Sequence, residues 1–280
     1  MKKIGILFLL ATLTIGCCNK TSVDHDLKFM SFNIRNGSQW AINEDGPNAW
    51  PNRRQAVVDM ILKELPDAIG MQEVLPEQMD YLDSALAGQY SSFGIGRDDG
   101  HREGEIMSIY YRRDRLELVD QHTYWLSERP DTVNFGWDAA CRRTVTVGVF
   151  HDKETDSNFV YMNTHLDHMG PAARRNSILL LCTLAEDYQG RCVLGGDMNS
   201  SLQDSIFIPL GEHKFLSARD VADSSDNADT YNAFGKAASA QIDHFFVRGW
   251  SAVKAFRTLT ADYGVPYISD HYPVLTTLSY

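Results

Sequence analysis

Short apolar segments of strand length recur along this chain, and one after another they stop on an amide, an acid or an imidazole. The tips are Asn33 in SFNIR, Glu73 in QEV, Asn163 and His165 in NTH, Asp197 and Asn199 in GGDMN, Asp243 in QIDH, and Asp270 and His271 in SDHYP. If these segments are strands sharing one sheet edge, their polar tips converge on a single mouth, where sheet proteins commonly build sites. No repeat at a solenoid period and no Pro/Gly linker breaks the pattern.

Leu27 to Ile34 reads as the first strand, and Asn36 to Pro51 as a polar loop carrying two exposed tryptophans, Trp40 and Trp50. Helical spacing of apolar residues predicts helices from Arg53 to Leu65, from Pro76 to about Leu86 and from Ala172 to Tyr188, with a short strand from Ala68 to Met71. Further strands are expected over 106–111, 116–126, 144–150, 158–164, 191–196, 241–247, 252–260 and 273–278. The alternation of Val145, Val147 and Val149 predicts a sheet with one buried face. Residues 218–228 read as a surface loop. The loops 97–105 (RDDGHREGE) and 127–143 are long for a compact domain, and such loops are more often functional than idle. Many strands with helices interspersed predict an α/β or α+β layered sandwich rather than a purely parallel doubly wound sheet. A chain of 280 residues buries roughly three quarters of its unfolded surface, so stability calls for neither metal nor disulfide. Cys141, Cys182 and Cys192 then read as small buried hydrophobes, with a Cys182–Cys192 bridge left open.

In this order, over about Leu27 to Tyr280, the motifs resemble the endonuclease/exonuclease/phosphatase superfamily. The resemblance implies a four-layer sandwich of two packed mixed β-sheets flanked by helices, and a metal-dependent phosphoester hydrolase. Charge develops on phosphoryl and leaving oxygens during such a reaction, and a hard divalent cation with oxygen ligands suits it, here Mg2+ with Mn2+ as a substitute. Carried onto this sequence, Glu73 is the principal metal ligand, with Asn33 as a neutral oxygen ligand or an orienter of water, and Asp270 as a second carboxylate. Asp197 orients and deprotonates the attacking water, and a tight Gly195-Gly196 turn lets it protrude. Asn199 donates to a nonbridging oxygen or to that water. His271 meets the phosphate as a charged donor or general acid, Asp243 holds its tautomer and raises its pKa, and His165 donates to another phosphoryl oxygen. Whether Asp197 or the Asp243–His271 pair supplies the base stays open. Arg97 and Arg143 are candidates for a remote phosphate or charged headgroup, weighed against loop-pinning ion pairs, and His168 is a further candidate contact. The WLSE segment at Trp125–Glu128 and Trp137 stand between a substrate wall and sheet packing.

The formal charge is −11, from 26 Lys+Arg against 37 Asp+Glu. Tight nonspecific nucleic-acid binding needs the opposite balance, so no stable nucleic-acid partner is expected and a small or lipid-headgroup phosphoester is favoured over RNA or DNA. A nuclease and a non-catalytic surface-binding lipoprotein are the competing readings. The joint presence of candidate acid, base and metal ligand speaks against the second.

Lys2 and Lys3 precede an apolar run from Ile4 to Ile15, followed by Gly16-Cys17. This is the pattern of a signal peptide over residues 1–16, and the small residue before cysteine resembles a bacterial lipoprotein signal with Cys17 as the lipidated residue. A linker over 17–26 and a catalytic domain over 27–280 complete the expected organisation, for a monomer anchored to a membrane on the periplasmic or cell-surface side. Membrane fractionation after expression of the full chain in a bacterium checks this. Wild type is expected with the membranes, and the double substitution Cys17→Ser, Cys18→Ser is expected to release the protein or block its maturation. Wild-type protein that stays soluble with a free amino terminus at Thr21 or beyond would refute lipidation.

Overall fold

The structure is a computed structural model that describes residues 25–280. The expected signal segment, the acceptor Cys17 and the linker up to residue 24 lie outside the described residues. Strand β1 (Leu27–Asn33) leads into helices α1 (Gln39–Asp45) and α2 (Trp50–Glu64), then β2 (Ala68–Val74), α3 (Pro76–Leu86), β3 (Tyr90–Phe93) and β4 (Ile106–Arg112). Next come β5 (Leu116–Trp125), β6 (Thr144–Asp152), β7 (Ser157–His165), α4 (Pro171–Glu186) and β8 (Arg191–Asp197). The chain closes with α5 (Ile208–Glu212), β9 (Leu216–Ser217), α6 (Ala218–Val221), β10 (Ser224–Ser225), β11 (Asp243–Arg248), β12 (Ala252–Thr258) and β13 (Val274–Ser279).

Two mixed sheets result, ordered β10-β12-β13-β1-β2-β4-β3 and β5-β6-β7-β8-β11-β9. Strand alternation distributes side chains over three apolar layers. On β1, Met30 and Phe32 pack under Val57 and Ile61 of α2 and Leu82 of α3. Leu27 and Phe29, on the opposite face, meet Phe159 and Phe245 of the second sheet. Val145 and Leu194 of that second sheet pack beneath Ile178, Leu181 and Ala185 of α4. The order is helix, sheet, sheet, helix: the four-layer sandwich that the family resemblance implies.

Several local expectations are corrected. The stretch 36–51 is not all loop, because α1 forms within it and α2 starts at Trp50, with Pro51 at a first-turn position where a missing N–H costs nothing. Trp50 is consequently buried, with the Arg53 guanidinium over its ring and Tyr81 at its edge. The valine alternation on β6 does not mark a one-sided sheet. Val145 and Val147 face α4, while Thr146 and Phe150 are fully buried on the other face, between the sheets. Residues 218–228 contain α6 and β10, and Arg219 is buried there over the Phe256 ring, donating to the carbonyls of Asp226 and Ala228. The strand β3 escaped the sequence reading because only its two ends, Tyr90 and Phe93, are buried. All three described cysteines are free.

Between the sheets the apolar layer is interrupted by polar side chains of β7. Tyr161 Oη accepts from Gly70 N at 2.9 Å and donates to Met30 O at 2.8 Å. Asn163 Nδ2 donates to Met71 O and Ser108 O, both at 2.9 Å. This approach needs glycine at position 70, where a Cβ would lie 2.6 Å from Tyr161 Oη and 2.7 Å from Asn163 Cγ. Gly70→Ala is therefore expected to lower stability by about 1–3 kcal/mol, read as a lower urea midpoint with an unchanged slope. An unshifted midpoint would mean that the sheets slide apart without cost.

Candidate active site

The registers of both sheets deliver the polar tips to one edge. In the second sheet His165 of β7 pairs with Asp197 of β8, and Asp197 pairs with Asp243 of β11, so three adjacent strands present three titratable side chains in a row. In the first sheet Asn33 of β1 pairs with Gln72 of β2. Val274 of the antiparallel β13 pairs with Ser31, which brings the preceding Asp270 and His271 to the same edge. A bulge between Met71 and Val74 places Glu73 at φ 63°, and this left-handed backbone turns its carboxylate out of the strand alternation.

Glu73 accepts three hydrogen bonds, one on Oε1 and two on Oε2. Oε1 takes the Asn33 amide at 3.1 Å, and Oε2 takes the backbone N–H of Asn36 at 3.0 Å and its side-chain amide at 3.1 Å. Burial works against the charge, but these hydrogen bonds together with Arg35 and His271 hold the carboxyl below its ordinary range. The Asn33 carbonyl oxygen accepts from Arg35 N at 3.0 Å, so its amide nitrogen is the group that faces the acids, donating to Glu73 and, at 3.0 Å, to Asp197 Oδ2. Of the two roles expected for Asn33, this orientation supports the orienter. Its oxygen is turned away from the site.

Asp197 lies at the junction of the two halves. Oδ2 also lies 3.4 Å from His165 Nε2 and 3.7 Å from His271 Nε2, and Oδ1 accepts from Asn199 N at 3.0 Å. That last bond is a local turn contact, so turn chemistry and exposure to the site coexist at this aspartate. Burial and the neighbouring Asp243 push the Asp197 carboxyl up to about 7. The expected Gly195-Gly196 turn is corrected: both glycines lie inside β8. They are needed for clearance, since a Cβ at Gly195 would meet the Phe245 ring at 2.5 Å and one at Gly196 the Thr164 carbonyl oxygen at 2.0 Å.

The two histidines are driven apart. His271 Nδ1 donates to Asp243 Oδ2 at 2.8 Å, and although burial opposes the charge, Asp243 and Asp197 raise its pKa to about 10. It is an imidazolium. For His165 burial acts in the same sense as Arg143 and Arg97, and its pKa falls well below the ordinary value. The neutral ring accepts from Asn199 Nδ2 at 3.1 Å through Nε2, which puts its proton on Nδ1, a buried atom with no partner.

Glu73, His165, Asp197, Asn199, Asp270 and His271 line one cavity of about 450 Å³, whereas Asn33 and Asp243 are buried behind it and reach it through Glu73, Asp197 and His271. Arg97, Arg143 and His168 form its wall near His165, and each guanidinium is backed by a carboxylate. Arg97 pairs with Glu105, while Arg143 pairs with Asp167 at 3.5 Å and touches His168 Nδ1 at 3.2 Å. Asp167 also accepts from the backbone N–H groups of Ala140, Cys141, Met169 and Gly170, stapling the 127–143 loop to the end of β7. Trp125 is buried and its Nε1 donates to Arg97 O at 2.8 Å, so it supports this wall from behind, and Trp137 does not line the cavity.

Sequence reasoning missed Arg35, Asn36, Trp40, Glu105 and Tyr231, all of which line the cavity. The signal for Asn36 was its place beside Asn33, and for Glu105 its place at the end of a loop already marked as functional. The half-buried Glu105 carboxyl is pushed up to about 7 by desolvation, with Glu73 adding to the effect.

Glu73 and Asp270 fit a hard divalent cation. Both carboxylates line the cavity, Asp270 buried and Glu73 half-buried with one lone pair of Oε1 still open, and the Arg35 Nε facing Asp270 stays 3.9 Å away. Asp197, Asp243 and His271 also offer donor atoms within 4.8 Å of one another, but His271 is charged and bonded to Asp243, which makes this trio a proton-bearing chain instead. Cys141, Asp167 and His168 cluster similarly, and there the Asp167 oxygens are already taken by N–H donors.

The pattern of the endonuclease/exonuclease/phosphatase family matches residues 30–271, and the chain belongs to that family. It is similar to the endonuclease/exonuclease/phosphatase structure from Bacteroides vulgatus, with 34% identity, a TM-score of 0.84, and coverage of 91% of this chain and 98% of the other. It is similar also to the mannosyl-6-phosphatase of Bacteroides thetaiotaomicron, with 31% identity, a TM-score of 0.82, and coverage of 91% and 100%. An uncharacterized protein of Acanthamoeba polyphaga mimivirus is 26% identical over 253 residues, 81% of this chain and 91% of that one. Hydrolysis of phosphoester bonds is the reaction class of this family.

Asp197→Asn is expected to keep substrate affinity, measured by calorimetry, while kcat falls by about 10²- to 10⁴-fold, as removal of a positioned base does. Equal losses in binding and turnover would make Asp197 a structural residue.

Proposed function

We propose that this family member is a Mg2+-dependent phosphomonoesterase acting on small phosphorylated sugars, exported and anchored through Cys17. The observation that carries the reading is the wall of Arg97 and Arg143 that lines the cavity together with His165. A monoester dianion offers three terminal oxygens, and two guanidiniums supply charge-assisted donors for the one that a diester would carry as a second ester link. The mannosyl-6-phosphatase neighbour supports a sugar phosphate, and the charge of −11 disfavours a polyanion.

Asp197, with a pKa near the working pH, accepts a proton from the attacking water while the Asn33 amide and the Asn199 backbone N–H fix its carboxylate. The water oxygen bonds to phosphorus, the ester P–O bond breaks with its electron pair on the leaving oxygen, and that oxygen takes a proton from solvent. The His271 imidazolium and the Arg97 and Arg143 guanidiniums hold phosphoryl oxygens as charge develops. A divalent cation held by Glu73 and Asp270 supplies further neutralisation of that charge.

Rates on mannose 6-phosphate, p-nitrophenyl phosphate and bis(p-nitrophenyl) phosphate, with Mg2+ and with EDTA, test the proposal. The two monoesters are expected to be the better substrates, with loss of turnover in EDTA. Arg143→Gln is expected to reduce kcat/KM on monoesters by about 10- to 100-fold and to change the diester rate far less. A diester cleaved faster than the monoesters, or turnover indifferent to EDTA, would refute it.

A further inference from the structure

Trp40 has no role in the chemistry above, yet its placement is unusual. It is 64% exposed, whereas Trp50 and Trp125 are buried and Trp137 and Trp250 half-buried. It also lines the cavity that holds Glu73, Asp197 and Asp270. A large aromatic left in water beside a catalytic mouth forgoes its burial energy unless something covers it.

The ring is held in place rather than loosely appended. Its helix α1 begins at Ser38, whose side chain caps Ala41 N at 3.2 Å, and Ala41 is fully buried. The Arg35 guanidinium lies 5.2 Å from the indole centroid, and its Nη2 and Nε bond Asp45 at 3.1 and 3.3 Å near the end of the same helix. One ring face is thus occupied by a cation, which leaves the opposite face for a ligand to cover. Arg35 Nε is also 3.9 Å from Asp270, so the indole sits one side chain away from the candidate metal ligands, while the Arg97–Arg143 wall lies toward His165.

We propose that the open face of Trp40 is a stacking platform for the pyranose ring of the substrate, so that the site reads the sugar as well as the phosphate. This rests on the phosphomonoesterase reading. The C–H bonds on one face of a pyranose meet the negative face of an indole favourably, while its hydroxyl edges need polar partners. Asn36 and Arg35 line the same cavity as the ring and offer polar partners for those edges. A nucleobase is the rival occupant and prefers aromatic contact on both faces. The other aromatic side chain lining the cavity, Tyr231, is packed against His271 with centroids 5.0 Å apart and is not free to provide the second face.

The test uses the full mature chain with Mg2+. In the Asp197→Asn background, titration with mannose 6-phosphate is expected to change tryptophan emission, and Trp40→Phe is expected to remove most of that change. In the active enzyme, the ratio of kcat/KM for mannose 6-phosphate to that for methyl phosphate is expected to fall about tenfold on Trp40→Ala, mainly through KM, and to recover in part with Trp40→Phe. An unchanged ratio with both phosphates still turned over, or adenosine 5′-monophosphate perturbing the emission at lower concentration than the sugar phosphate, would overturn the platform alone. If neither monoester is hydrolysed, the phosphomonoesterase reading fails, and the emission titration still decides whether the ring binds a sugar.

Discussion

The site depends on a few hydrogen bonds that cross the middle of the sandwich. Two β-sheets in face-to-face apolar contact have no strong reason to choose one relative position, because hydrophobic burial is non-directional. Here Tyr161 and Asn163 of β7 reach across to the backbone of β1, β2 and β4, and Gln72 Nε2 donates back to Asn163 Oδ1 at 2.6 Å. In a low-dielectric layer such bonds are costly to leave unmade, so any sliding of the sheets that breaks them is penalised. His165 follows Tyr161 and Asn163 on the same face of the same strand. The bonds that register the sheets therefore also set where His165 and its neighbour Asp197 stand relative to Asn33 and Glu73.

Within that frame the electrostatics divide labour among chemically similar groups. Two buried histidines differ because His271 faces Asp243 and Asp197, whereas His165 faces Arg97 and Arg143. One becomes a permanent cation and the other a neutral donor. Two carboxylates of the site differ for the same kind of reason: Glu73 is surrounded by N–H donors and cations, and Asp197 has Asp243 beside it. Such splitting is what lets a single cavity hold an acceptor poised near neutrality next to groups of fixed charge.

Much of this was legible because it rests on strand ends. The tips Asn33, Glu73, His165, Asp197, Asp243 and His271 converge as the ordered motifs implied, and the layered sheets follow from strand and helix patterns. What escaped was set by contacts distant in sequence. Trp50 read as exposed because the helix that buries it begins inside a polar segment, and only the fold brings Tyr81 to its edge. The Asn33 amide orientation is decided by a single backbone N–H two residues on, which no residue type announces. The Gly195-Gly196 pair looked like a turn because glycine's commonest use is conformational, whereas here the constraint is space, imposed by Phe245 and Thr164 from other strands.

The cavity cations resolve an apparent conflict between an acidic chain and an anionic substrate. Arg35, Arg97 and Arg143 line the cavity, and each is paired with an acid, Asp45, Glu105 and Asp167 respectively. Paired charges create little field beyond a Debye length, so they do not draw in a polyanion from a distance against the repulsion of the whole chain. At contact distance the same pairs are oriented donors whose geometry is already set, and orientation then costs less when a phosphate arrives. Glu105 adds a further feature: with its carboxyl pushed up to about 7, its charge weakens near neutrality and leaves Arg97 freer to bond a phosphoryl oxygen. Recognition by such a wall is short-ranged and shape-dependent, which suits a compact phosphate on a small polar body better than a charged polymer.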